Sequence, residues 1–515
     1  MCINFFIRYL TNGLLAGMLL SLPLSSTALE LVAGDNNDKT ARSSSNKTIG
    51  SGARDDEPIT NAGIALPSIG RISQSVTDEE QRIGAAWLKQ YRRQVPTSSD
   101  PIVIHYLETL LATLASHSDI YNASLSLVIA KNSTLNAFAV PGGIIGIHTG
   151  LLYHAKTEQQ LASVISHELA HLSQRHYARG VEKRKGQTAT VMTGLLAGLI
   201  LAATTEGDAG IAAISATQAY AAGQQLRFSR SFEREADRIG MTILARSGMS
   251  PHATAEMFEE MDKLTRFSSK PPEFLLTHPL TANRQVDAVN LARAYPQKIV
   301  PDNINYQLVR ARAILETVES PQAAIQRFKD ELSGFDTPVD GNRYGLALAL
   351  LDNREPEKAG QAITVLLEKY PDNLILKITY NQILAGKKDF VTATNNLQQL
   401  IKQYPDYYPL PFYLSQLYRQ QNDFLAAINV LELLSKARPK DPLIWYELAE
   451  ISGLANNISL LNKARAEYFI LHANFDNAEQ QLKALAERES ASAVLKRYAK
   501  ERLQALETIR SRSKL

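Results

Sequence analysis

Pro371, Pro405 and Pro439 stand 34 residues apart. The same step carries Leu366 to Leu400 and Leu434, Ala359 to Ala393 and Ala427, and Ile363 to Leu397 and Leu431. Asp389 and Asp423 keep it, as do Phe390 and Phe424. Columns in one shared register exclude a single compact core for this part of the chain. Each period is a unit that cannot bury its apolar face alone, so units must stack into a solenoid. The alanines let two helices of a unit approach closely. The prolines end each unit because they cannot continue a helix.

Two helices in 34 residues is the tetratricopeptide pattern. Degenerate earlier repeats are expected, with helices near 303–316 and 321–332. Beyond Pro439 the register loosens, with helices expected near 443–454, 459–472 and 475–487 and a basic helical cap over 490–511. Such arrays bind peptides or proteins and do no chemistry themselves. Tyr407, Tyr408, Tyr413, Tyr418, Trp445 and Tyr446 are available to line the binding face or to pack between helices, and packing is favoured.

The chemistry must lie upstream. Residues 167–171 read His-Glu-Leu-Ala-His. On a helix, His167 and His171 stand one above the other on one face. Two imidazoles so placed take two corners of a tetrahedral zinc site, and Glu168 beside them takes a proton from water. The helix is expected to start at Thr157, with Gln160 completing a capping box. Leu161, Val164, Ile165, Leu169 and Leu172 form its apolar stripe, and no Pro or Gly interrupts residues 157–179.

A zinc peptidase needs a third protein ligand. Ser229-Arg-Ser-Phe-Glu-Arg-Glu-Ala-Asp237 also reads as a helix. Glu233 and Asp237 share a face, so one can ligate while the other orients a ligand histidine, and Glu235 points elsewhere. His176 and Arg230 are both candidates for donating to the oxyanion.

His-Glu-x-x-His followed downstream by Glu-x-x-x-Asp resembles the gluzincin metallopeptidases of the CAAX-prenyl-protease and HtpX type. So does the upstream run Asn136-Ala-Phe-Ala-Val-Pro-Gly-Gly143. The resemblance implies a zinc endopeptidase holding one Zn2+, with Glu233 as third ligand and Asp237 behind the ligands. Pro141-Gly142-Gly143 is a turn signal between two β-rich runs. A substrate-pairing edge strand is expected near 143–149, at Gly143, Ile144 and Ile145. The runs His171–Arg179 and Lys270–Leu280 are similar to the soluble, periplasmic branch of that family. In that branch the Thr-His-Pro histidine lies near the metal. Here that residue is His278, read either as a fourth ligand that latches the site shut or as the cap of a loop before a helix near Leu280. For partners, the branch implies protein clients, namely outer-membrane proteins, and the outer-membrane β-barrel assembly machinery, reached through the repeats.

The chain of 515 residues is too long for one core. A mainly α protein is expected: a zincin-like α+β metalloprotease domain over 71–300, then an all-α tetratricopeptide solenoid over 303–512. Residues 1–28 read as a cleavable signal peptide, with Arg8 as the only charge, an apolar stretch from Leu14 to Leu24 and a cleavage site after Ala28. A linker over 29–70 follows, dense in polar residues between Asp35 and Thr60. Loss of the signal removes Cys2, the only cysteine, so zinc is held by nitrogen and oxygen alone. Export without cysteine suits a bacterial periplasm. Net charge is +3, which gives no reason to expect nucleic acid as a partner. Residues 188–223 hold an apolar run, Val191–Ala203, whose thirteen residues are too few to cross a bilayer, which takes about 20. It reads as a hairpin over the active site or on a membrane surface, or as a buried helix pair.

Overall fold

The computed structural model describes residues 78–120, 125–182, 200, 229–267, 271–297, 301, 303–334 and 339–512. The expected signal peptide and linker, and nearly all of 188–223, lie outside these residues. The chain from Ser73 to Leu515 forms one compact unit.

Two helices lead in, α1 (Asp78–Gln94) and α2 (Pro101–Ser116). Asp100 caps α2 by accepting from the N–H groups of Ile102 and Val103, and Pro101 starts it where no N–H is needed. A three-stranded sheet follows, with β1 (Ser126–Ala130), β2 (Ala137–Val140) and β3 (Ile144–His148) in the order β1-β3-β2. β2 and β3 form an antiparallel hairpin, whose Gly142 and Gly143 have φ of 93° and 85°, open to glycine at no steric cost. β1 pairs in parallel with β3, Ser126 opposite Ile144.

The expected edge strand is therefore corrected. Ile144 and Ile145 lie in the central strand, and Gly143 lies in the turn before it. Every residue of β3 is buried. An unbroken apolar run such as Ile144-Ile-Gly-Ile147 suits a strand covered on both faces rather than an edge. Among the described residues the free edge beside the His-Glu-Leu-Ala-His helix is β2.

After α3 (Thr149–His154) comes α4 (Glu158–Ser173), capped by Thr157 as expected. Nearly all of α4 from Gln160 onward is buried, the polar Ser163, Ser166, His167, Glu168 and His171 included. The helix does not run on to residue 179. It breaks at Gln174–Arg175, where Arg175 takes φ of 49°, and α5 (His176–Glu182) begins in a new direction. No glycine marks this turn. The Arg175 guanidinium pairs with Glu80 of α1 at 3.1 Å, which helps offset the left-handed backbone. α6 (Arg230–Arg246) crosses α4 where Gly240 meets it, and a Cβ there would stand 3.2 Å from the His167 backbone nitrogen. α7 (His252–Phe267), the short α8 (Glu273–Thr277) and α9 (Ala282–Ala292) complete this part.

The remainder is stacked helices: α10 (Ile304–Leu315) and α11 (Pro321–Ser333) both pack on α12 (Val339–Asp352), which pairs with α13 (Pro356–Lys369), and α14 (Leu374–Gly386) pairs with α15 (Phe390–Gln403). Then come α16 (Pro409–Gln420) with α17 (Phe424–Ala437), α18 (Pro442–Leu454) with α19 (Ile458–Leu471), and α20 (Phe475–Glu487) with α21 (Ala493–Arg512). Ala359, Ala393 and Ala427 are fully buried, as close helix crossing requires. The turns inside the pairs repeat too. Arg354, Lys388, Asn422 and Asn456 all take positive φ at the 34-residue step. The period thus persists past Pro439, to the turn between α18 and α19.

Candidate metal centre

α4 crosses α6, and α8 delivers the chain to the same point. His167, His171, Glu233 and His278 meet there, all buried, with one ligand atom of each within 4.8 Å of the others. His171 Nε2 lies 3.0 Å from His167 Nε2, and His278 Nδ1 lies 3.3 Å from His167 Nε2. Glu233 Oε1 is 3.1 Å from His278 Nδ1 and 3.4 Å from His171 Nε2, while Oε2 is 3.5 Å from His167 Nε2. A zinc ion bound at about 2.0–2.1 Å sets tetrahedral donors about 3.3–3.4 Å apart. The donor set is nitrogen and oxygen only. Both spacing and chemistry fit zinc, and four protein donors fill a tetrahedron without water.

Glu168 is buried beside the cluster. Its Oε1 has no hydrogen-bond partner and lies 3.5 Å from His278 Nε2. The Ala139 backbone N–H, on β2, bonds its carboxyl. Burial pushes this carboxyl above the usual glutamate value, against the pull of His278 and His167. That direction suits a general base.

Behind the donors the two zinc-helix histidines are held differently. His167 Nδ1 faces Asp237 Oδ1 at 3.0 Å. Burial alone would lower the His167 pKa, but the Asp237 and Glu233 carboxylates outweigh it and raise it to about 9. Asp237 in turn accepts two 2.7 Å bonds from the Arg284 guanidinium. Arg284 Nη1 also lies 2.8 Å from Glu233 Oε2, off the hydrogen-bonding axis, so that contact is purely ionic. The same nitrogen donates to the carbonyls of Pro279, at 3.0 Å, and His278, at 3.4 Å. Sequence reasoning missed Arg284, because an arginine in Ala-Asn-Arg-Gln-Val reads as part of a solvated helix face.

His176 and Arg230 are corrected as oxyanion donors. His176 is buried with one ring nitrogen against His171 Nδ1, at 3.0 Å, and the other against Glu235 Oε2, at 3.1 Å. Both ring nitrogens are thus engaged within the protein rather than turned to a substrate oxygen. Arg230 is exposed at the first position of α6. Glu235 points away from the metal-facing side of α6, as expected, and contacts His176 and Arg179.

Fold and donor set together define a zinc metallopeptidase of the His-Glu-x-x-His kind, carried on a tetratricopeptide array. The chain belongs to peptidase family M48, whose pattern matches residues 102–291, and a tetratricopeptide-repeat pattern matches 384–451. It is 31% identical over 343 residues to the beta-barrel assembly-enhancing protease of Escherichia coli (strain K12), covering 66% of this chain and 70% of that protein. It is 35% identical over 317 residues to a Vibrio cholerae protein that carries a provisional form of the same name, covering 61% and 65%. A mitochondrial metalloendopeptidase OMA1 of Arabidopsis thaliana is 32% identical over 165 residues, which is 32% of this chain and 31% of that one.

Proposed function

We propose that the protein is a zinc endopeptidase of the periplasm that removes stalled outer-membrane proteins and also assists their assembly. The observation that carries the reading is the buried His167–His171–Glu233–His278 cluster with the orphan Glu168 Oε1 beside it. A purely structural site has no use for a buried base. The names of the relatives support the client class, and the signal-like residues 1–28 support the compartment. Among the described residues no helix is long and apolar enough to cross a membrane.

In this reading His167 Nε2, His171 Nε2 and Glu233 hold the metal, with Asp237 and Arg284 fixing His167 and Glu233. Bound zinc supplies the Lewis acid that activates water and polarises the scissile carbonyl. Glu168 takes the proton of the attacking water and returns it to the leaving amine. Substrate backbone pairs with the free edge of β2, which the Ala139–Glu168 bond sets beside the base. His278 acts as a latch: it fills the fourth position at rest and must swing away for substrate to enter. The repeats bind the client and the outer-membrane β-barrel assembly machinery.

Purified Glu168→Gln tests the reading against an unassembled outer-membrane β-barrel protein. Loss of cleavage by at least a hundredfold with zinc still bound is the expected result. Cleavage at the wild-type rate would remove the peptidase assignment.

A further inference from the structure

His171 Nδ1 meets the Nδ1 of His176, at 3.0 Å. The His176 ring is fully buried, and its Nε2 faces Glu235 Oε2 at 3.1 Å. If Glu235 accepts from Nε2–H, then His176 Nδ1 carries a lone pair and must accept. His171 then donates through Nδ1–H, and its Nε2 carries the lone pair turned toward His167 Nε2 and Glu233 Oε1. Every proton in this chain is assigned by its partner, with both rings neutral.

The unit is braced on all sides. Phe232 stacks on His176 at 4.5 Å and 9°. Arg179 bonds both Glu235 oxygens, at 3.3 Å and 3.2 Å, and lays its guanidinium over Phe232 at 4.7 Å. Phe232 and Glu235 flank Glu233 in the first turns of α6. The turn at Arg175, with φ of 49°, is what brings the ring back under the helix that carries His171. A continuous α4 would carry residue 176 past this place.

We propose that His176 is a positioning residue for the metal, fixing the tautomer and ring angle of His171 and itself fixed by Glu235. The inference rests on His171 being a zinc ligand. It departs from the oxyanion role, which would place His176 against substrate. Second-layer groups of this kind are worth about 10–100-fold in metal affinity.

The test is zinc affinity of the full-length protein, measured by competition with a chromophoric chelator. His176→Phe keeps a ring on Phe232 but accepts no hydrogen bond. It should bind zinc about 10–100-fold more weakly than wild type, and His176→Gln, whose amide oxygen accepts, should recover part of the loss. Glu235→Ala should weaken binding and Glu235→Gln should not. Thermal unfolding of the metal-free proteins separates a folding defect. If His176→Phe lowers it, the Glu235 pair decides, since that side chain is partly exposed. Unchanged zinc affinity in His176→Phe would overturn the proposal, and a fall in kcat alone would restore the oxyanion role. Equal affinities in both Glu235 variants would also overturn it. His171→Ala is the separate control: if it binds zinc like wild type, the ligand set fails, whatever His176 does.

Discussion

Arg284 divides its guanidinium among Asp237, Glu233 and the carbonyls of His278 and Pro279. Its side chain thus touches Glu233, the Asp237 that faces His167, and the backbone of the His278 loop together. A lysine keeps the charge but loses the two-pronged fork. Arg284→Lys should therefore weaken zinc binding about tenfold or more, read by chelator competition, and should speed proteolysis of the loop around His278. His167 and His171 were legible because His-Glu-x-x-His fixes a helix face; Glu-x-x-x-Asp put Glu233 and Asp237 on one face without saying which ligates, and Glu233 as ligand and His278 near the metal were implied only by the family resemblance. Arg284 was not legible, because its burial is set by how α9 lies on α6. His176 was misread for a related reason: its position depends on a helix break at Arg175 that no glycine or proline announces.

The loop that carries His278 is tied at its start as well as its end. Glu273, in the first turn of α8, accepts from Thr134 Oγ1 at 2.9 Å and Asn136 Nδ2 at 3.1 Å. Phe274 N–H donates to the Leu135 carbonyl at 3.2 Å, and its ring stacks on His278 at 4.5 Å. α8 thus hangs from the segment that leads into β2. Burial holds the Glu273 carboxyl up at about 7, against those hydrogen bonds. His148, 3.5 Å away, is itself held down at about 3 by burial, so the contact is not an ion pair. A carboxyl raised in the folded state stabilises it fully below the ordinary value of 4.5, and that increment is lost as pH rises through about 7. Melting temperature should fall over this window in wild type, and the fall should shrink in Glu273→Gln. At this scale the sequence marked the hairpin turn at Gly142 and the cap at Thr157. It misplaced the edge strand at 143–149, because strand patterning tells burial but not which neighbour lies on each side.

The array does not hang free of the peptidase. α10 is sewn to the turn after α3: Tyr306 donates to the Ala155 carbonyl at 2.5 Å, and Arg310 to that of Tyr153 at 2.9 Å. Arg312, buried on α10, gathers Tyr344, Thr379 and Tyr413 from the next three repeats and pairs with Asp100, the cap of α2, at 2.6 Å. Further along, Arg438 pairs with Glu108 at 2.8 Å, and His105 sets its ring edge-on to Tyr407 at 4.6 Å. Several tyrosines weighed as a binding face are therefore packed against α2 or against Arg312. Periodicity told the helices of the array well, yet it could not tell this docking, since a repeat pattern records only contacts between neighbouring units. Arg312→Ala leaves Asp100 and two phenols around a buried gap. It should cost about 3–5 kcal/mol of stability and expose the junction near residue 303 to proteolysis, measured by chemical denaturation and limited digestion. At the centre of the proposed function, a single zinc held at His167, His171 and Glu233 cuts protein chains with Glu168 as the base. The most direct test is to titrate metal-free full-length protein with zinc while following cleavage of an unfolded β-barrel protein. Cleavage should rise linearly and saturate at about one zinc per chain, and Glu168→Gln should bind the same zinc without cutting. Cleavage that ignores zinc, or that persists in Glu168→Gln, would contradict it.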